Sequence, residues 1–372
     1  MSRVHLGDVA IEHKETCKED KSMYPIVGLE HLTPEQITLQ NWDLNTENTF
    51  TKVFRKGNIL FGRRRAYLKK AAVAPFDGIC SGDITVIEAK EDKIIPELLP
   101  FVIQNDDLFD FAVGKSAGSL SPRVKWAHLQ NYEFELPNKQ KQHELAKVLW
   151  AIEDTRKSYQ QLIKRTDELV KSQFIELFGL VDENPYEFPR VPITEVCDFQ
   201  GGSQPPKKDW IKKEKDGYIR MLQIRDFTQS EKDNIEYVKI TNSIKTCKEE
   251  DVLIGRYGAS VGKILTGLSG AYNVAIMKSI PDLSKLNRTY LRYYFLSDEF
   301  QGYVLSVSAS RAAQAGFSKE DLNRMQILLA PIELQKQFER LVVQSDKSKF
   351  ELNRALDELT ATYKQIIKDN LG

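Results

Sequence analysis

Asn58-Ile59-Leu60-Phe61-Gly62-Arg63 returns as Asp251-Val252-Leu253-Ile254-Gly255-Arg256, 193 positions later. Working outward, the same offset carries Leu98-Leu99-Pro100-Phe101-Val102-Ile103 onto Leu291-Arg292-Tyr293-Tyr294-Phe295-Leu296, and Gln142 with Leu145 onto Gln335 with Phe338. The last pair stands just after a proline in each copy (Pro137, Pro331) and opens a long helical pattern. A solenoid unit runs to only about 20 to 50 residues, so an offset of this length marks a duplicated domain. Two like domains imply two like binding events.

Each copy reads as an α+β unit followed by a helix. In the first, β-type runs at 24–27, 58–61 and 84–88 accompany one helix-like stretch, 95–111. From Gln140 to about Phe178 the apolar spacing alternates between three and four: Leu145, Val148, Ile152, Thr155, Tyr159, Leu162, Thr166, Leu169. The second copy repeats it as Phe338, Val342, Ser345, Lys349, Leu352, Leu356, Leu359, Tyr363, Ile366. Gly179 can end the first helix, and Asp182-Glu183-Asn184-Pro185 reads as the loop that follows. A helix of roughly 40 residues is about 60 Å long, too long and too one-sided to stand alone. The predicted fold is therefore α+β: two domains related by internal duplication, joined by two long helices packed as an antiparallel coiled coil with a pseudo-twofold. The predicted spans are 1–137 and 181–331 for the domains, and 138–180 and 332–372 for the helices. The seam is predicted at Leu145, Ile152, Leu162 and Leu169 on the first helix, and at Leu352, Leu356, Leu359 and Tyr363 on the second.

Composition narrows the function. The four cysteines (Cys17, Cys80, Cys197, Cys247) form no C-x-x-C pair, which argues against a disulfide framework or zinc site and suits a reducing cytoplasm. No apolar signal core and no run of about 18 apolar residues occurs, so neither export nor a membrane span is expected. Lys and Arg balance Asp and Glu at 53 each, which leaves DNA binding to local basic patches.

Catalytic signatures fail on inspection. Gly258-Ala259-Ser260-Val261-Gly262-Lys263-Ile264 has its first glycine too close and an isoleucine where a phosphate loop needs a hydroxyl. Asp83 with Glu88 and Lys90 has the residue types of a metal-dependent nuclease, but the second copy supplies no acids there. The five histidines lack ligand spacing. No catalytic or metal-ligating set is expected. A self-contained nuclease and a coiled-coil scaffold that binds protein stand as alternatives.

DNA contacts are better supported. Arg63, Arg64, Arg65 and Lys69 lie in an acid-free basic run with aromatics interleaved. Arginine's planar fork can take guanine O6 and N7 together, so the arginines at 63 to 65 are candidate base readers. A small, polar loop carries Lys115, Ser116, Ser119 and Arg123, and its copy carries Ser310, Arg311 and Gln314. Small residues let backbone approach DNA while Ser, Gln and Arg supply donors and acceptors. A glycine turn leading into lysines adds Gly202, Ser203, Gln204 and Lys207. Arg225, Arg256 and Tyr257 complete the DNA-binding set.

Taken together, these residues resemble the specificity subunit of type I restriction-modification enzymes over nearly the whole chain. The stretches that carry the resemblance are Leu6-Gly7-Asp8-Val9-Ala10, Val191-Pro192-Ile193-Thr194-Glu195-Val196 running on to Gly201-Gly202-Ser203-Gln204-Pro205, Met221-Leu222-Gln223-Ile224-Arg225-Asp226-Phe227, Glu250-Asp251-Val252-Leu253-Ile254-Gly255-Arg256-Tyr257-Gly258, and Ala330-Pro331-Ile332-Glu333-Leu334-Gln335. The first copy departs from the pattern, with His13-Lys14-Glu15 in place of the Gly-Gly-Ser turn and no glutamate in Pro137-Asn138-Lys139-Gln140. The resemblance implies two target-recognition domains that read two short sequences in double-stranded DNA across an unread, fixed spacer. It implies no catalysis and no cofactor in this chain. Two methyltransferase (modification) subunits, and restriction subunits beside them, would bring S-adenosylmethionine, ATP and Mg2+.

Overall fold

The structure, a computed structural model, describes residues 2–18, 21–44, 47–118, 121–228, 234–311 and 315–372. Two compact units emerge: Met1–Leu162 with Leu352–Gly372, and Ile163–Glu351. Each long helix therefore begins in one unit and ends in the other. The two units repeat one topology.

In the first unit the strand Ile59–Gly62 is buried at all four positions, as an uninterrupted apolar run bounded by turns requires. It lies inside a four-stranded antiparallel sheet in the order Ala10–Glu12, Ile84–Ala89, Ile59–Gly62, Ala71–Val73. A second sheet places Gly78–Cys80 between Ile26–Val27, parallel to it, and Lys52–Phe54, antiparallel. Ser2–His5 pairs with Glu133–Leu136. The predicted single helix over 95–111 is instead two, Leu99–Ile103 and Asp106–Gly114. Asn105 breaks it, because its side chain accepts the Asp107 N–H and caps the second helix.

The second unit repeats this arrangement. Cys197–Gly201, Ile276–Pro281, Leu253–Gly255 and Ile264–Leu265 form the matching four-stranded sheet. Gly270–Tyr272 is central to the other, parallel to Tyr218–Leu222 and antiparallel to Thr246–Cys247. The strand Tyr237–Lys239 is added outside Tyr218–Leu222. The repetition extends to single hydrogen bonds. The Gly62 N–H donates to the Lys70 carbonyl and the Gly255 N–H to that of Lys263, each at 2.8 Å. Val124 donates to the Arg63 carbonyl and Phe317 to that of Arg256, at 3.0 and 3.2 Å. Both pairs keep the offset of 193.

The long helices are Lys139–Phe178 and Ile332–Leu371. Asn138 accepts the Lys141 N–H at the start of the first. Gly179, at φ +72°, ends it in the left-handed region that favours glycine. In the first unit Tyr363, Ile367 and Leu371 join the core built by Leu145, Ala146 and Leu149. In the second, Phe174 and Phe178 meet Phe338 edge to face at 5.4 and 5.6 Å, and Asp167 pairs with Lys349 at 2.7 Å. Positions rising on one helix thus meet positions falling on the other, which is antiparallel packing.

The seam is shifted at every second step of the first helix. Leu145 and half-buried Ile152 lie where predicted, but Leu162 and Leu169 are 49% and 58% exposed. Their neighbours Ile163 and Val170 face inward instead, as Leu149 does in place of Val148. The cause is charge. Glu153 and Arg156 occupy the seam, joined at 2.9 Å, with the Arg156 guanidinium over the Tyr363 ring at 5.4 Å. A spacing read from apolar residues alone passes over them to Thr155, which is exposed. On the second helix Tyr363 is buried and Leu352, Leu356 and Leu359 are half-buried, in the predicted phase. Among the described residues no helix is long and apolar enough to cross a membrane.

Candidate nucleic-acid interface

In each unit the chain leaves the central strand at an arginine. Arg63 follows Gly62 and Arg256 follows Gly255, and each arginine uses its backbone fully. The Arg63 N–H donates to the Asp83 carbonyl at 3.0 Å and the Arg256 N–H to the Ala275 carbonyl at 2.9 Å. The side chains are held but not ion-paired, although Glu320 feels the charge of Arg256. Neither guanidinium has a hydrogen-bonding or ion-pair partner among the described residues, and both Nε atoms are buried and unpaired. The Arg256 guanidinium lies over the Tyr257 ring at 4.6 Å, a contact that orients the fork without spending its donors.

The strand end and the small polar loop meet in both units. In the first, Arg64 bridges to Arg123, and Arg65, at φ +54°, donates its N–H to the Pro122 carbonyl at 2.9 Å. Asp83 locks this join. Arg123 Nε donates to one of its carboxylate oxygens at 2.6 Å and Nη2 to the other at 3.2 Å, while Arg64 Nη1 approaches at 3.4 Å and Arg64 Nε donates to Ser121 at 2.7 Å. The Arg123 hydrogen bond holds the Asp83 carboxyl below the usual carboxylate range. In the second unit Tyr257 bridges to Gly316 and the Gly258 N–H donates to the Ala315 carbonyl at 3.0 Å. Arg311 is anchored on Asp321 at 2.6 Å.

Gly202 completes the second site. Its N–H donates to Ile276 at 3.1 Å, and a Cβ there would stand 2.1 Å from the Asn273 carbonyl oxygen. Only glycine lets the turn approach this closely. The neighbouring Gly201 lies under Arg256, whose Nη1 would be 2.9 Å from an added Cβ.

The remaining predicted residues divide. Arg65, Lys115 and Gln204 are exposed, with Lys115 near the Phe111 ring at 5.7 Å. Lys69 is turned to Asp106 at 2.5 Å. Ser116 and Ser310 donate back to their own helices, to Ala112 and Val307. Ser203 accepts the Lys245 N–H at 3.1 Å. Lys207 and Arg225 converge on Glu236, at 2.7 and 2.8 Å, with Lys207 also 3.8 Å from the Trp210 ring. Burial alone would raise the Glu236 carboxyl, but Lys207, Gln223 and Arg225 outweigh it and hold it low. This is a separate patch, and sequence reasoning missed both Glu236 and Trp210; the aromatic three residues after Lys207 was the available signal. Ser119 and Gln314 lie outside the described residues.

The nuclease alternative loses its geometry. Asp83 faces arginines, Glu88 faces His13 at 2.7 Å, and Lys90 donates to the Gly7 carbonyl at 2.6 Å. Among the described residues no group of three or more His, Cys, Asp or Glu could hold a metal ion.

Two duplicated α+β units, each presenting a strand-end arginine beside a loop, define a two-domain recognition protein. The profile of the family described as "Type I restriction modification DNA specificity domain" matches residues 3–165 and again 185–360, and the chain belongs to that family. A curated relative, the EcoDI type I restriction enzyme specificity subunit of Escherichia coli, is 28% identical over 129 residues. That match covers 34% of this chain and 28% of the relative's length. The fold is similar to that of the S subunit of a type I restriction-modification system from M. genitalium, with 13% identity, coverage of 100% and 96% of the two chains, and a TM-score of 0.59. It is equally similar to a chain solved in work on assembly and conformational transition of the type I R-M system, with 22% identity, coverage of 99% and 97%, and a TM-score of 0.58.

Proposed function

We propose that this chain is the non-catalytic specificity subunit of a type I restriction-modification complex, reading a bipartite target in double-stranded DNA with an unread spacer of fixed length. The N-terminal domain reads one half-site and the second domain the other. The observation that carries this is the repeated strand-end arginine. Arg63 and Arg256 are placed by equivalent backbone bonds, and each keeps a buried Nε with no hydrogen-bond partner and a guanidinium in no ion pair among the described residues, although Glu320 lies within electrostatic reach of Arg256. A buried donor left unpaired costs about 1–3 kcal/mol, a cost that guanine O6 and N7 would offset on binding. The half-sites differ in sequence, because Arg63-Arg64-Arg65 is aligned with Arg256-Tyr257-Gly258.

The other basic residues serve position more than reading. Arg64, Arg123 and Arg311 are tied to acids and shape the loops, while exposed Arg65, Lys115 and Gln204 are available to phosphates and base edges. The residues proposed to contact DNA remain those named from the sequence, with Ser119 and Gln314 among them. A formally neutral chain gains phosphate neutralisation from its partners. We assign these as two methyltransferase subunits, with restriction subunits joining them, and these partners use S-adenosylmethionine, ATP and Mg2+. The four scattered cysteines, none of them in a C-x-x-C pair, suit a cytoplasmic setting.

The test uses the complex with a cognate methyltransferase. Arg63→Ala and Arg256→Ala are each made and the methylated sequence is read out. Relaxation of one base pair in a different half-site for each variant is expected; equal weakening of both half-sites by either variant contradicts the assignment.

A further inference from the structure

We propose that Gln142 and Gln335 are positioning residues that fix the angle between each domain and the long helix leaving it, and so set the spacer length the protein accepts. This rests on the bipartite reading above. Each glutamine sits in the first turn of its helix, 193 positions from the other, and exposes 2% and 0% of its surface. A buried polar side chain here is not a packing choice, because a leucine or methionine would fill the same volume without the desolvation cost.

Its bonds give the reason. Gln142 Nε2 donates to the Pro137 carbonyl at 2.8 Å, and Oε1 accepts the Ile95 N–H at 3.0 Å. Gln335 Nε2 donates to the Ala330 carbonyl at 2.8 Å and the Lys285 carbonyl at 2.9 Å, and Oε1 accepts the Asn287 N–H at 2.8 Å. In both copies one amide therefore ties three backbone segments: the helix root, the strand exit before it, and the segment leading into the domain's own helices. Asn287 is the cap of Arg288–Phe295, so the tie reaches a rigid element. Only a group with both a donor and an acceptor makes this joint directional.

The leverage is large. A tilt of roughly 5° at the root of a helix about 60 Å long moves its far end by about 5 Å, more than the ~3.4 Å step between base pairs. A hinge softened by losing its directional bonds would accept neighbouring spacer lengths.

The experiment assembles the wild-type, Gln142→Met, Gln335→Met and Gln335→Glu chains with the methyltransferase, and a melting curve checks each for folding. Duplexes carrying both half-sites with the native spacer, or with one or two base pairs added or removed, are compared by methylation rate. The Met variants should narrow the ratio of native to off-length rates by roughly tenfold, as loss of the buried hydrogen bonds allows, two at Gln142 and three at Gln335. Gln335→Glu keeps the acceptor for Asn287 but turns an oxygen toward the Ala330 and Lys285 carbonyls, so it should narrow the ratio at least as far, and each Met variant supplies the ratio should the other fail to fold. A purely structural role would lower all spacers together; an unchanged ratio in folded variants overturns the proposal. A wild-type complex without any split motif would instead overturn the functional reading.

Discussion

Arg63 and Arg256 are set apart from most of the candidate cations by standing in no ion pair among the described residues while each keeps a buried Nε without a partner. Arg64, Lys69, Arg123, Lys207, Arg225 and Arg311 all have carboxylate partners, and paired surface charges contribute little when one is removed. Arg256→Ala should therefore cost about 1–3 kcal/mol of discrimination at one base pair, seen as one degenerate position in the methylated motif, while Lys115→Ala, at an exposed cation, should weaken binding to all sequences alike. Gly202→Ala is a packing prediction. Its Cβ would meet two backbone oxygens at 2.1 and 2.4 Å, so the turn must shift at a cost of about 1–3 kcal/mol, measurable as a lower urea midpoint. Basic runs and small loops were legible as residue types, but their division into readers and anchors was not. Asp83 drew notice as a nuclease acid, although it is the carboxylate that holds Arg64 and Arg123, and partners this distant in sequence leave no local pattern.

At the scale of elements, the loop-to-strand join in the first domain is electrostatic and so depends on pH. The Arg123 hydrogen bond depresses the Asp83 carboxyl from its ordinary value of 3.8. Its contribution is thus fully present above that value and is lost as pH falls through the lower, folded value. Hydrogen exchange at the Ala117 and Arg123 amides, which bond each other's carbonyls, should accelerate only below about pH 4. Asp83→Asn should bring that looseness to neutral pH and weaken only the first half-site. The helices give a second contrast. Leu169→Gln in the isolated chain should change stability by no more than about 0.5 kcal/mol, whereas Phe174→Ala, on the neighbouring face within the aromatic cluster, should cost about 3–5 kcal/mol by urea unfolding. Both helices were legible in the sequence because proline, 3-4 spacing and Gly179 agree on where they run. The phase of the first was not, since adjacent apolar pairs at 148–149, 162–163 and 169–170 fit either face, and charged Glu153 and Arg156 occupy the deciding positions.

Across the whole molecule, the duplication is the property that sequence reveals best, because it needs only self-comparison. It predicted two α+β units related by duplication, and the structure extends the likeness to the order of the four-stranded sheets and to individual hydrogen bonds. The strand Tyr237–Lys239 and the Glu236 patch escaped it, since among the described residues the matching place in the first copy carries only the antiparallel bridge of Asp43 to Ile26, too short to show in a self-comparison. Two units with the same plan but different side chains at the strand end are suited to reading two different short sequences. The most direct test maps adenine methylation at single-base resolution across a genome exposed to this chain assembled with a cognate methyltransferase. A motif of two unlike specified halves separated by a fixed, unspecified spacer is the predicted result. Methylation at a single uninterrupted site, or none from a complex shown to be assembled, would contradict it.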